Sequence, residues 1–217
     1  MFKVSATQLE AFRRYQNGVI TTDTLITQLL RLEPPNELMA LGTKFHELLQ
    51  ADTITPKQCE PNFEYNQILD ARSKIDYRCK AFEVKLRSTI DTWDGVPIVI
   101  TGVADQLLPD MVIEYKTRYS AFQYEGYADS MQWRLYCYLF EVPAVNYKVW
   151  EMKRIEETNF CTVKSYNDFI LYSYPGLKKE LREAVTDFHR LCATLGIDKE
   201  PALQYTDKVL ERVLQVV

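Results

Sequence analysis

Of the 217 residues only seven are glycine and nine proline, and no stretch is low in complexity, which argues against long linkers or disordered arms. Nowhere does an uncharged run approach the ~18 residues that a membrane-spanning helix needs. The N-terminal MFKVSATQLEAFRRYQ has no apolar core of signal-peptide length, so no membrane association is expected. The five cysteines, at 59, 79, 137, 161 and 192, are odd in number and include no CxxC pair. A zinc ribbon and a disulfide framework are both disfavoured, and a reduced, cytoplasmic setting is expected. A basic surplus is missing too: the formal charge is −4, whereas proteins that neutralise phosphates usually carry excess Lys and Arg. If nucleic acid is the ligand, the positive field must be local, or a bound metal must supply part of it.

What is present has the 47% hydrophobic and 26% charged content of an ordinary globular chain, and its length favours one domain with helical elaborations. Ser5 reads as an N-cap for ATQLEAFRRYQ, and Asp23 as the cap of a second helix through DTLITQLLRL. Pro34-Pro35 breaks that helix, and a third, LMALGTKFHELLQ, begins near Asn36. Residues 51–62 read as loop, and between 63 and 79 the pattern does not separate helix from loop. From Ala81 the period changes to two. AFEVKLRSTI, VPIVITGVAD and MVIEYKT read as consecutive antiparallel strands, joined at Asp94-Gly95 and Leu108-Pro109-Asp110. A helix from Tyr127 to Phe140 follows, then a strand near NYKVWEMKR, and a mostly helical region after Tyr166. This order predicts a mixed α+β or α/β domain, a central sheet flanked by helices with helical additions at both ends.

Two acids and a base interrupt the apolar strands. On a strand, residues i and i+2 share a face, so Glu114 and Lys116 project together. Asp105, in the preceding strand, lies near Glu114 across a short hairpin. Paired carboxylates repel each other unless a cation lies between them, and a hard divalent ion such as Mg²⁺ or Mn²⁺ suits oxygen ligands. The alternative on these residues alone is the solvated face of an edge strand.

With its neighbours, the pattern resembles the PD-(D/E)xK nuclease superfamily, and within it the RecB-like branch of exonucleases that carry a QxxxY motif. Asp105 takes the place of the motif's Asp, and Glu114-Tyr115-Lys116 matches its ExK step. Pro109-Asp110 spells the dipeptide literally but lies in a turn, and GVAD around Asp105 fits better. Gln132-Trp133-Arg134-Leu135-Tyr136 fits QxxxY, with Gln132 and Tyr136 on one helix face. Gly42-Thr43-Lys44-Phe45-His46-Glu47 resembles the branch's histidine-bearing helix, where a small Gly42 leaves room beside the imidazole.

The resemblance covers about residues 36–153 and leaves 1–35 and 166–217 as helical extensions of one nuclease domain. It implies a restriction-endonuclease-like core and metal-dependent hydrolysis of DNA phosphodiester bonds, by an exonuclease of recombination or repair. His46, Asp105, Glu114 and the backbone of Tyr115 would hold Mg²⁺ or Mn²⁺. Lys116 would activate the attacking water or stabilise transition-state charge, and a nearby dication would favour loss of its proton. Gln132 and Tyr136 would position the reacting groups. Arg118, Tyr119 and Arg134 are candidate nucleic-acid contacts, and Phe122, Tyr124 and Tyr127 offer stacking surfaces or loop packing. No iron–sulfur cluster is expected, because the cysteines lack the grouping such relatives use. DNA, single-stranded or at duplex ends, is the expected partner, with a recombination protein and further copies of the chain as additional candidates. A non-cleaving nucleic-acid-binding or scaffold module on the same fold, and a structure-specific endonuclease, are the competing readings.

Overall fold

The computed structural model describes residues 2–197, apart from positions 35, 78, 80, 156, 157 and 159. Pro35 of the expected helix break, and the expected C-terminal extension beyond residue 197, therefore lie outside the described residues.

Strand β1 (Lys3–Ser5) runs directly into helix α1 (Ala6–Gln16). Ser5 closes one and starts the other through a capping box: Gln8 N–H donates to Ser5 Oγ at 3.2 Å, and Ser5 N–H donates to Gln8 Oε1 at 2.9 Å. Helix α2 (Thr22–Leu30) is capped by Thr21, not by Asp23 as the sequence suggested; Thr24 N–H donates to Thr21 Oγ1, and Asp23 lies in the first turn. Asn36 caps α3 (Glu37–Gln50), accepting from Met39 N–H at 2.9 Å. The undecided stretch is helical in part, after the short helix α4 (Pro56–Cys59), as α5 (Tyr65–Arg72).

Strands β2 (Phe82–Asp91), β3 (Pro97–Leu107) and β4 (Met111–Arg118) are antiparallel neighbours, as the alternating pattern predicts. The turn between β2 and β3 holds Gly95 at φ +77°, a left-handed conformation that glycine adopts without strain. The single helix expected from Tyr127 is two: α6 (Tyr124–Ala128) ends, and Ser130 caps a fresh start for α7 (Met131–Leu139). Strand β5 (Ala144–Arg154) then pairs parallel to β4, and β6 (Cys161–Tyr172) pairs antiparallel to β5. A strand to Tyr172 corrects the expectation of helix from Tyr166. Aromatic cross-strand pairs fix it, Trp150 against Tyr166 at 5.2 Å and Tyr147 against Phe169 at 5.5 Å between ring centroids. Helix α8 (Leu177–Thr194) follows.

The sheet order is β1-β3-β4-β5-β6, with β2 along the other edge of β3. One core, between the sheet and α1, α2, α7 and α8, contains Leu9, Leu29, Ile98, Ile100, Val149 and Phe188. A second, under α3 and α5, contains Phe45, Leu49, Ile68, Tyr115 and Trp150. The result is a mixed α/β architecture with a restriction-endonuclease-like core. Among the described residues, no helix is long and apolar enough to cross a membrane.

Candidate active site

The site begins where two strands stop pairing. Strands β3 and β4 share only the registers Gln106–Ile113 and Leu107–Val112. Just past that point the Asp105 carboxylate takes the place of a ladder acceptor, receiving Tyr115 N–H on Oδ2 at 2.6 Å. Its other oxygen, Oδ1, lies 3.8 Å from His46 Nδ1, too far for a hydrogen bond. His46 reaches this position because Phe45 and Leu49 bury the adjoining side of α3 in the second core and so fix the helix against the sheet. Its ring meets the Tyr115 ring edge-on.

Glu114, on β4, is 4% exposed. Its Oε1 accepts two bonds of 2.7 Å, from Lys116 Nζ and from Gln132 Nε2. Its Oε2 is buried and has no partner. Gln132 Nε2 also donates to Tyr136 Oη at 2.9 Å, and Tyr136 Oη donates to the Val103 carbonyl at 2.7 Å. The i, i+4 pair on α7 therefore ties Glu114 back to strand β3. Each carboxylate has one oxygen fixed by the protein, and the other accepts no hydrogen bond among the described residues.

Electrostatics match this geometry. Burial pushes Asp105 up to about 6, partly opposed by Lys116 and the Tyr115 N–H. Burial and then the Asp105 charge push Glu114 up to about 7. His46 is pushed down to about 4 by burial and by Lys116, so its imidazole is neutral at physiological pH. Burial alone would depress Lys116, but the carboxylates of Glu114 and Asp105 outweigh it and hold the ammonium above its usual value. Without a dication, the proton stays on this lysine.

Two glycines fit the elements together, and neither does so in the way the sequence suggested. A Cβ on Gly42 would stand 2.8 Å from Thr117 Oγ1, so this glycine makes room for strand β4 and not for the imidazole. A Cβ on Gly102 would stand 2.9 Å from Tyr136 Cε1, so Gly102 is what lets α7 rest on β3. The sequence pattern did not single out Gly102. Nor did it reveal Glu10 of α1, whose Oε2 accepts from Ser130 Oγ at 2.7 Å and Met131 N–H at 2.9 Å, holding the start of α7. Contacts across 120 residues leave no local signature.

His46, Asp105, Glu114, Tyr115, Lys116, Gln132 and Tyr136 are thus gathered in one place. The three candidate nucleic-acid contacts are not gathered with them equally. Arg118 lines, with Lys116, Gln132, Arg14, Glu10 and Tyr127, a cavity of about 480 Å³ beside the cluster. Tyr119 turns away and packs against the second core, its hydroxyl 3.9 Å from Cys161 Sγ. Arg134 is occupied internally, by Glu180 at 3.0 Å and by the carbonyls of Ala128 and Ser130 at 3.0 and 2.6 Å. Phe122 and Tyr127 pack against the first core, and His189 lies edge-on to Phe2.

The fit to a divalent ion rests on the donor set. Among the described residues, no three His, Cys, Asp or Glu side chains stand together so as to hold a metal ion by themselves. An open site of one or two carboxylates with water completing the shell is, however, the usual arrangement for Mg²⁺. The orphaned Glu114 Oε2 is an anionic oxygen that such an ion would satisfy.

No family model matches the chain, and no curated protein does. Among solved structures, that of SSO0001 is similar over 88% of this chain and 77% of its own, with a TM-score of 0.51 at 17% identity. The alkaline exonuclease LHK-Exo from Laribacter hongkongensis is similar over 88% of each chain, with a TM-score of 0.46 at 17% identity. Its complex with dAMP gives a TM-score of 0.48 at 18% identity. At these identities the likeness to SSO0001 speaks for the fold alone, and the fold is that of a mixed sheet wrapped by helices.

Proposed function

We propose that the chain is a divalent-cation-dependent deoxyribonuclease acting at DNA ends. One observation carries this reading: two buried carboxylates, each anchored through one oxygen, meet a neutral imidazole and a protonated lysine, and the lysine opens onto a cavity shared with Gln132 and Arg118. A bound Mg²⁺ or Mn²⁺ would supply Lewis-acid activation of the scissile phosphate. Asp105 and Glu114 would hold it, with His46 and the backbone of Tyr115 as further candidate ligands.

The remaining work falls to the chain's own groups. Lys116 presents an ammonium whose side chain is 32% exposed, enough to meet a phosphate oxygen or the attacking water. Gln132 keeps Glu114 from rotating, and Tyr136 keeps Gln132 in place by fixing it to Val103. Arg118 and Arg14 line the adjoining cavity with positive charge. This local field offsets a chain whose overall charge is −4.

The test uses end-labelled single- and double-stranded DNA with Mg²⁺, Mn²⁺ or EDTA, comparing wild type with Lys116→Ala. Degradation from the ends that stops in EDTA, and is lost in the variant, supports the proposal. Full activity in EDTA or in Lys116→Ala contradicts it. Binding without cleavage under every condition favours the scaffold reading.

A further inference from the structure

Part of the sheet has a face without a helix on it. Helices α3 and α5 cover the second-core side of β4 and β5, and no residue of β3 is buried in that core. On β3 the residues that share a side with Asp105 are Val103, Thr101 and Val99, and Val103 is 39% exposed. Across the antiparallel ladder Lys85 stands opposite Val103, Arg87 opposite Thr101 and Thr89 opposite Val99, so these β2 side chains share that side. All three are exposed. Among the described residues, neither Lys85 nor Arg87 has an ion-pair or side-chain hydrogen-bond partner. Lys3 of β1 joins the same strip, in register with Val99.

Acids keep to the ends of β2. Asp91 stands at the far end, opposite Pro97, and Glu83 at the near end is held by Gln50, whose Nε2 donates to it at 3.0 Å. Helix α3 supplies a wall beside the strip. Its His46 lies 3.8 Å from Asp105, and Thr43 and Met39 continue the face of His46 and Gln50 without a charged group. The resulting groove has cations along one side, an uncharged helix along the other, and Asp105 at its end. At ~3.4 Å per residue, Lys85 and Arg87 stand about 7 and 13 Å along the strand from Asp105. Those are positions for the first few phosphates of a chain whose reacting phosphate lies at Asp105.

Charged residues on an edge strand also discourage pairing with another copy. That role asks for charge of either sign at any place along the edge. Lys85 and Arg87 instead carry one sign, in a chain of net charge −4, on the strip that ends at the site.

We propose that the open face of β2 and β3 carries the backbone of the DNA strand leading away from the hydrolytic centre, with Lys85 and Arg87 on its phosphates. This rests on the nuclease reading of the site and names the surface that holds its substrate. Contacts to phosphate fix the strand's path without choosing a base sequence.

The parent for the experiment is Lys116→Ala, which in Mg²⁺ should bind DNA without cutting it. Fluorescence anisotropy follows a labelled single strand of about 20 nucleotides from ~50 to ~300 mM salt. The parent is compared with the same protein carrying Lys85→Ala and Arg87→Ala. A control carries Lys178→Ala and Lys179→Ala on α8, which remove two exposed cations elsewhere. Each phosphate contact to a single strand contributes ~0.7 to the slope of log K against log salt. Losing two should lower the slope by about 1.4 and weaken binding about 25-fold at ~0.1 M salt, for unrelated sequences alike. The Tm should not move, because both side chains are exposed, and the α8 control should bind as the parent does. Unchanged affinity and slope in the β2 variant, or an equal loss in the control, overturns the proposal. A changed oligomeric state by light scattering at unchanged DNA affinity assigns the face to a second copy and overturns it as well. A parent that binds no DNA overturns it too, whereas a parent that still cleaves contradicts the nuclease reading itself.

Discussion

Replacing Asp105 with asparagine should stabilise the cation-free protein at alkaline pH while removing the proposed activity. Burial holds the Asp105 carboxyl at about 6 in the fold, against 3.8 for a free side chain. A raised value in the folded state means that the native protein binds this proton more tightly than the unfolded chain does. The corresponding stability is fully present below pH ~3.8 and is lost as pH rises through about 6. A shift of about two units, at ~1.4 kcal/mol each, amounts to roughly 3 kcal/mol of lost stability at pH ~8 and under 1 kcal/mol at pH ~4. Asparagine has no charge to lose and keeps an oxygen for the Tyr115 N–H. The side chain is 13% exposed, so solvent screening trims the figure only modestly, to about 2 kcal/mol.

The assay is urea denaturation in EDTA, followed by tryptophan fluorescence, with wild type and variant compared across that pH range. The stability advantage of Asp105→Asn should grow by about 2 kcal/mol from the acid to the alkaline end. Saturating Mn²⁺ should reverse the order, because only wild type gains a cation for its acids. A difference that stays flat with pH would refute the reasoning, since Asp105 would then titrate as a solvated carboxylate.

Other consequences follow from the same contacts. Gly102→Ala places a methyl group 2.9 Å from Tyr136 and 3.0 Å from Leu139; thermal denaturation should show a loss of about 1–3 kcal/mol, the range for overpacked cores. Mn²⁺ must displace protons from Asp105 at about 6 and Glu114 at about 7. The rise in Tm on adding Mn²⁺ should therefore be larger at pH ~8 than at pH ~5.5, and an equal or opposite trend counts against these two ligands.

Much of this arrangement is legible in the sequence because it is local. The spacing of Glu114 and Lys116 on a strand, and of Gln132 and Tyr136 on a helix, fixes a shared face before any fold is known. The bonds of Gln132 to Glu114 and to Tyr136 then follow from bringing α7 over β4. What the sequence hides is non-local. Strand β1 is three residues long and is defined only by its parallel register with Val99–Thr101 of β3. The second half of β6 is held as strand by aromatic partners on β5 that no local pattern announces. Tyr119 and Arg134 look like exposed nucleic-acid contacts in a linear reading. Their neighbours Cys161 and Glu180 lie 42 and 46 positions away and draw them inward. Glu83 and Gln50 meet across 33 positions and through a left-handed strand residue, which alternation cannot foresee.

The central claim is that Asp105, Glu114 and His46 surround one divalent ion, and anomalous diffraction from crystals soaked in Mn²⁺ addresses it most directly. An anomalous peak is expected against Oδ1 of Asp105 and Oε2 of Glu114, absent from crystals of Asp105→Asn. No peak there at saturating Mn²⁺, with Lys116 still closed on Glu114, would contradict it.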